Sequence, residues 1–294
     1  VLVLRPKGRL FTDTYFNSVS VGKWKRHTTV NDLNLTIKFK GKIKITWFLH
    51  RPHFSGRILA ENYLTSKGLK EISVPLEFWG NLEDGMLVFD IEALEETQVV
   101  DFYYWTNTPP TNKVKLGIVI THFNRQKYVL PAIARLKEQL LDLPEFKDRV
   151  SLFVVDNSQN LPPIENVTII PNENLGGAGG FSRGLLTLKE SKDYTHCLFM
   201  DDDASCEVDG IKRTLALLTY AKDKELAVGG AMLREETMYL QYENGARFDG
   251  LLHPNKAGLD LRQQNSCIVN EFEERIDFCG WWFFAFPLSK VKHL

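Results

Sequence analysis

The stretch Cys197-Leu198-Phe199-Met200-Asp201-Asp202-Asp203 constrains the fold of this chain most, because an apolar run stops abruptly at three consecutive carboxylates. A short apolar run bounded by charge predicts a strand buried on both faces of a parallel sheet, and in open α/β sheets ligands sit beyond the carboxyl ends of such strands. Adjacent carboxylates repel one another. A hard cation such as Mn²⁺ or Mg²⁺ that neutralises them and bridges to phosphate oxygens gives a reason to gather them there. The competing reading is a helix start, with Asp202 or Asp203 capping a helix predicted from about Val208 to Ala221.

Around this run, strand and helix signals alternate. Strands are predicted from Leu116 to Ile120, Leu152 to Val155, Val167 to Ile170, Cys197 to Met200 and Leu226 to Met232. Helices are predicted from Lys127 to Leu141, from about Gly180 to Lys189 and from Val208 to Ala221. Such alternation predicts an α/β domain with a Rossmann-like, mainly parallel sheet covered on both faces.

Residues before about Trp105 follow a different rule. Apolar and polar residues alternate strictly over Leu33 to Phe39 and again over Ile43 to Trp47, so Lys40-Gly41-Lys42 reads as the turn of a β-hairpin. Further strands are expected near Ile72 to Phe78, Leu87 to Ile91 and Val99 to Trp105, with Pro75 at an edge or bulge because it cannot donate to a ladder. The pattern predicts an all-β sandwich over residues 1–108. The polar, proline-bearing stretch Thr106 to Asn112 reads as a connector, and the α/β domain as residues 113–294. The aromatics Trp24, Trp47, Phe78, Trp79, Tyr103, Tyr104 and Trp105 supply either core or a sugar-stacking surface, and their alternation favours core for most.

Composition excludes several classes. With 36 Lys plus Arg against 37 Asp plus Glu, the net charge of −1 gives no diffuse hold on nucleic acid or an anionic membrane. No apolar run approaches the roughly 20 residues that span a bilayer, so the expectation is a cytoplasmic protein without a transmembrane segment. The four cysteines lack metal or redox spacing and read as reduced, packed thiols.

Three predicted strands end in polar clusters: Thr121-His122-Phe123-Asn124-Arg125, Asp156-Asn157-Ser158 and Asp201-Asp202-Asp203. A parallel sheet brings all three to one edge. There an Arg can pair with phosphate, a ring can stack on a base and a carboxylate can accept from base or ribose, which together describe a nucleotide cradle with a metal. His122 reads by itself as a partly exposed loop histidine. After the third strand, Asn174-Leu175-Gly176-Gly177-Ala178-Gly179-Gly180 removes the Cβ atoms that keep ligands off the backbone, just before helical N–H groups. Its spacing matches neither a dinucleotide fingerprint nor a Walker loop.

These residues, together with Gly280-Trp281-Trp282-Phe283, resemble glycosyltransferase family 2 enzymes of the galactofuranosyltransferase type, over roughly Lys113 to Leu294. The resemblance implies a GT-A catalytic domain behind an N-terminal β-sandwich, and inverting transfer of galactofuranose from a UDP-sugar donor to a growing cell-surface glycan. It implies Mn²⁺ or Mg²⁺ on Asp201 and Asp203. Donor contacts are implied at Thr121, Phe123, Arg125, Asp156, Asn174, Gly176, Gly177 and Asp202, and acceptor contacts at Trp281 and Trp282. The acceptor would be a glycan or lipid-linked glycan, which brings peripheral membrane association at the inner face into view. The family's catalytic base and a metal-binding histidine fall further along than Leu294, so the expectation is a C-terminally truncated transferase domain whose base lies outside the chain. Two other classes remain open: a glycan-binding or scaffold module with an inactive transferase domain, and a metal-dependent nucleotidyltransferase.

Overall fold

The computed structural model describes residues 1–52 and 54–292. They form two compact units of a mixed, sheet-rich α/β protein. One comprises Val1–Pro109 with Leu233–Tyr242 and Lys256–Glu274; the other comprises Pro110–Met232 with Glu243–Asn255 and the chain from Arg275.

The first unit carries β1 (Leu2–Leu4), β2 (Arg9–Phe11), β3 (Val19–Ser20), α1 (Val21–His27), β4 (Asn34–Arg51), β5 (Phe54–Pro75), β6 (Met86–Ala93) and β7 (Thr97–Trp105). All seven strands join one antiparallel sheet. The predicted hairpin over Leu33 to Trp47 is corrected here: β4 runs unbroken through Lys40-Gly41-Lys42. Gly41 has φ +125°, and a Cβ there would come within 2.4 Å of Thr97 Oγ1. The glycine therefore serves a cross-strand close approach at a bulge, where β4 passes from pairing with β7 to pairing with β6. Leu35, Ile37, Phe39, Ile43, Ile45 and Trp47 point into the core and are fully buried, each stabilising the fold by about 1.5–3 kcal/mol or more. Pro75 ends β5, which among the described residues pairs only with β4 and is an edge strand.

Two polar anchors complete this unit. Asp32 accepts from Thr106 Oγ1 (2.7 Å), Asn107 N (3.0 Å) and Thr108 N (3.0 Å), fixing the start of the connector. Burial works to raise the Asp32 carboxyl, and these bonds overcome it and hold the group well below the usual carboxylate range. The returning segment is held by Glu271, only 4% exposed, whose carboxylate accepts from Gly22 N (2.8 Å), Gly85 N (3.2 Å) and Ser20 Oγ. Nothing local in the sequence marks this return, because Glu271 has acceptors to fill only once its distant donors are near.

The second unit contains β8 (Leu116–His122), α2 (Gln126–Leu136), β9 (Val150–Asp156), β10 (Val167–Pro171), α3 (Gly176–Ser191), β11 (His196–Asp201), α4 (Val208–Tyr220) and β12 (Val228–Gly229). The sheet order is β10-β9-β8-β11, followed by Phe284–Pro287 and β12. The first four strands are parallel and Phe284–Pro287 runs antiparallel beside β11. The strand predicted from Leu226 to Met232 is cut to the two residues of β12, which pair with Ala285 and Phe284, while Met232–Leu233 forms a separate short strand. Leu116, Ile118, Ile120, Leu152, Val154 and Leu198 face one core with residues of α2 and α4. Val119, Phe153, Val155, Cys197 and Phe199 face the other with Phe181, Leu185 and Leu188 of α3.

Helix α3 begins at Gly176, a turn earlier than predicted. Glycine disfavours helix by about 1 kcal/mol per residue relative to alanine, and close packing outweighs that cost. A Cβ on Gly180 would lie 2.2 Å from Thr121 Cγ2, one on Gly184 would lie 2.3 Å from Val119 Cγ1, and one on Gly117 would lie 2.4 Å from Leu188 Cδ2. Reading up the helix (180, 184, 188) is thus reading down the strand (121, 119, 117). The two run antiparallel, so the amino end of α3 arrives at the carboxyl end of β8.

Candidate functional site

The parallel register brings the three polar clusters to one sheet edge. His122 pairs with Asp156 across β8 and β9, and Asp201 pairs with Thr121 across β11 and β8. Each strand is apolar up to this edge and turns polar at it, so burial drives the strands inward and leaves their last residues at the rim.

His122 is the residue that sequence reasoning misjudged. It is fully buried, not a partly exposed loop histidine. Its Nδ1 donates to Asp202 Oδ2 (3.1 Å), and its Nε2 lies 3.4 Å from Asn160 Oδ1. Asp202 is 6% exposed and also accepts from Phe123 N (3.3 Å) and Arg125 Nη1 (3.4 Å). The same guanidinium pairs with Asp203. One network therefore ties the β8 turn to the β11 end. It holds Arg125, half-exposed at the start of α2, over the acidic triplet, while the Phe123 ring stays 46% exposed beside it.

Asp201 stands apart from its neighbours. Burial, and then the charges of Asp203 and Asp202, raise its carboxyl above the usual range, with Arg125 opposing.

Asp156 is 1% exposed, and all of its acceptor capacity is committed to its own loop. Oδ1 accepts from Ser158 N (3.0 Å) and Ser158 Oγ (2.9 Å), and Oδ2 from Asn160 N (2.8 Å) and Leu161 N (2.8 Å). Burial works to raise this carboxyl too, but the four bonds prevail and lower it. The loop it organises presents Ser158 Oγ to Asn124 N (3.1 Å) and Asn160 Nδ2 to Asn124 Oδ1 (3.1 Å), and this fixes the β8 turn from the other side. Asn124 sits at φ +54°, a left-handed position that asparagine tolerates.

The glycine segment borders the same edge. Asn174 Oδ1 accepts from Gly176 N (3.1 Å), and Asn157 Nδ2 donates to Gly176 O (3.2 Å). A Cβ on Gly176 or Gly177 would meet nothing within 4 Å, in contrast to Gly180 and Gly184. The first pair leaves open backbone at the amino end of α3 and the second pair packs the helix. Thr121 Oγ1 is buried without a hydrogen-bond partner, 2.8 Å from where a Cβ on Gly180 would lie.

Trp281 is 44% exposed and packs against Phe181 (centroids 5.3 Å apart) and Phe199 (5.0 Å). The Trp282 ring covers Gly280, where a Cβ would lie 2.1 Å from it. The two tryptophans are thus half core and half surface. Among the described residues no group of three or more His, Cys, Asp or Glu side chains is placed to hold a metal ion, and no helix is long and apolar enough to cross a membrane. The cysteines are free, and burial raises the thiols of Cys197 and Cys206, the latter to about 11.

Fold and site define a mixed α/β protein whose polar and charged residues gather at the carboxyl edge of a mainly parallel sheet. Residues 5–107 match the family described as Galactofuranosyltransferase 2 N-terminal. The chain is 25% identical to galactofuranosyltransferase GlfT2 of Mycolicibacterium smegmatis, over 100% of this chain and 49% of that protein. It is 29% identical to GlfT2 of Mycobacterium tuberculosis, over 96% of this chain and 48% of that protein. The chain is galactofuranosyltransferase-like along its length and spans about half the length of the curated relatives it matches. Among solved structures, the mannosyltransferase PcManGT from Pyrobaculum calidifontis, in complex with GDP-Man and Mn²⁺, aligns over 45% of this chain and 40% of that chain at 16% identity, with a TM-score of 0.32.

Proposed function

We propose that this chain is the donor-binding part of an inverting, family 2 glycosyltransferase of GT-A type, which passes galactofuranose from a UDP-sugar to a growing cell-surface glycan. The observation that carries the reading is the convergence of Arg125, Asp201, Asp203 and the open amino end of α3 at one strand-end edge. A guanidinium and free helical N–H groups suit a diphosphate, and an exposed ring at Phe123 suits a base. The similarity to galactofuranosyltransferases supports the sugar.

In this reading Arg125 and the backbone at Gly176 and Gly177 hold the diphosphate, Phe123 stacks on uracil, and Thr121 and Asn174 line the donor cleft. Asp202 sets the position of Arg125, and Asp156 shapes the loop that receives the uridine. Asp201 and Asp203 suit Mn²⁺ or Mg²⁺, because such ions commonly take one or two protein carboxylates and complete their shell with water and substrate phosphate. The raised, crowded Asp201 carboxyl is a group that a cation would relieve. A bound cation would neutralise charge on the departing diphosphate. Trp281 and Trp282 offer ring faces to the acceptor glycan.

Assay of the whole protein against UDP-galactofuranose, UDP-galactopyranose and dTDP-sugars, with and without Mn²⁺, tests the proposal. Mn²⁺-dependent transfer or hydrolysis of UDP-galactofuranose is expected; turnover of none of them overturns it.

A further inference from the structure

The aromatics of β7 separate by face. Phe102 and Tyr104 point inward from β7 and pack on Phe89 (centroids 5.2 and 6.4 Å apart), while Trp47 and Trp79 are buried. Tyr103 and Trp105 alternate with them and lie on the opposite face, 46% and 37% exposed. Being two residues apart on one strand, they are spaced by about 7 Å.

Their surroundings are polar. The register sets Tyr103 beside Thr36 and Thr36 beside Ser73, and it sets Asp101 and Glu71 on either side of Lys38. Trp105 Nε1 donates to Thr36 Oγ1 (2.9 Å), which lies 2.7 Å from Ser73 Oγ, and Tyr103 OH donates to Glu71 Oε2 (3.3 Å). The polar tips of both rings are thus satisfied within the sheet, which fixes the rings while leaving ring surface exposed. Two rings set among hydroxyls make no continuous apolar patch of the kind that protein or lipid partners cover. One lysine between two carboxylates gives no positive surplus to hold an anion. A ligand that matches fixed ring faces flanked by hydrogen-bonding groups without a positive surplus is a neutral, polyhydroxylated chain.

We propose that this face of the N-terminal sheet is a second, non-catalytic site that binds a neutral oligosaccharide, with Tyr103 and Trp105 as its stacking platform. It is independent of the nucleotide site, so a chain that bound no UDP would leave it untouched.

The test is calorimetric titration of the intact chain with a panel of neutral hexasaccharides built from hexofuranose or hexopyranose units. The indole Nε1–H signals of its 6 tryptophans are followed by NMR, and that of Trp105 is assigned from Trp105→Phe. At least one hexasaccharide is expected to bind and to move the Trp105 signal but not those of buried Trp47 and Trp79. Tyr103→Ala and Trp105→Ala should each weaken binding about five- to tenfold at a temperature where the variant is still folded. Binding to no hexasaccharide overturns the proposal, as does binding that leaves the Trp105 signal in place. The NMR readout uses the unaltered chain, so it decides the matter even where an alanine variant fails to fold.

Discussion

His122 and Asp202, 80 residues apart in sequence, meet at 3.1 Å between Nδ1 and Oδ2, with neither side chain more than 7% exposed. This contact joins the ends of β8 and β11 beneath the exposed Arg125–Asp203 pair. A buried carboxylate that loses a donor keeps its desolvation cost.

His122→Phe is therefore expected to destabilise the chain by about 1–3 kcal/mol and to weaken UDP binding. His122→Asn, whose amide reaches toward Asp202 as Nδ1 does, should retain more of both. Chemical denaturation of the two variants checks this; equal stability in wild type and Phe variant would show that the contact contributes nothing.

The glycines of α3 should divide into two groups. Gly184→Ala places a methyl against Val119 and is expected to cost about 1–3 kcal/mol through overpacking. Gly177→Ala enters open space and should leave stability unchanged or raised by up to about 1 kcal/mol, while donor affinity falls. Thermal unfolding beside UDP titration separates the two effects. Unaltered UDP affinity in Gly177→Ala would make the segment a connector.

Much of this edge was legible in the sequence because β8, β9 and β11 contain apolar runs that end in polar or charged residues, a local signal of burial on both faces. What was not legible depended on distant partners. Gly41 reads locally as a turn, and only Thr97 across the sheet shows that it is a close approach within a strand. His122 reads as loop chemistry until Asp202 is placed against it. The early start of α3 runs against glycine propensity and follows from how Gly180 and Gly184 fit Thr121 and Val119. The commitment of Asp156 to Ser158, Asn160 and Leu161 is local, the turn chemistry that Asp side chains commonly supply to the residues that follow them.

Asp201 carries a carboxyl raised by burial and by its acidic neighbours. A carboxyl with a raised folded value is penalised when ionised. The penalty is full above the folded value and absent below the ordinary carboxylate value, where both states are protonated. Asp201→Asn should therefore raise the melting temperature near pH 7, with the gain fading at acid pH, and should lose Mn²⁺-dependent UDP binding. A melting temperature lowered at pH 7 would contradict the crowding of the triplet.

Trp281→Ala removes ring contacts with Phe181 and Phe199, so it should lower stability by about 1–2 kcal/mol despite the exposure of the ring. Calorimetric unfolding provides the check, and an unshifted transition would assign Trp281 wholly to the surface.

In the proposed function the strand-end carboxylates and Arg125 hold a nucleotide diphosphate together with a divalent cation. Isothermal titration of the chain with UDP, with and without Mn²⁺, in wild type and Asp203→Ala tests it most directly. Mn²⁺ is expected to strengthen UDP binding to the wild type. In Asp203→Ala, whose exposed side chain carries no core packing, that strengthening should vanish at an unchanged melting temperature. Absence of UDP binding to the wild type, or an Mn²⁺ effect that survives in Asp203→Ala, would contradict it.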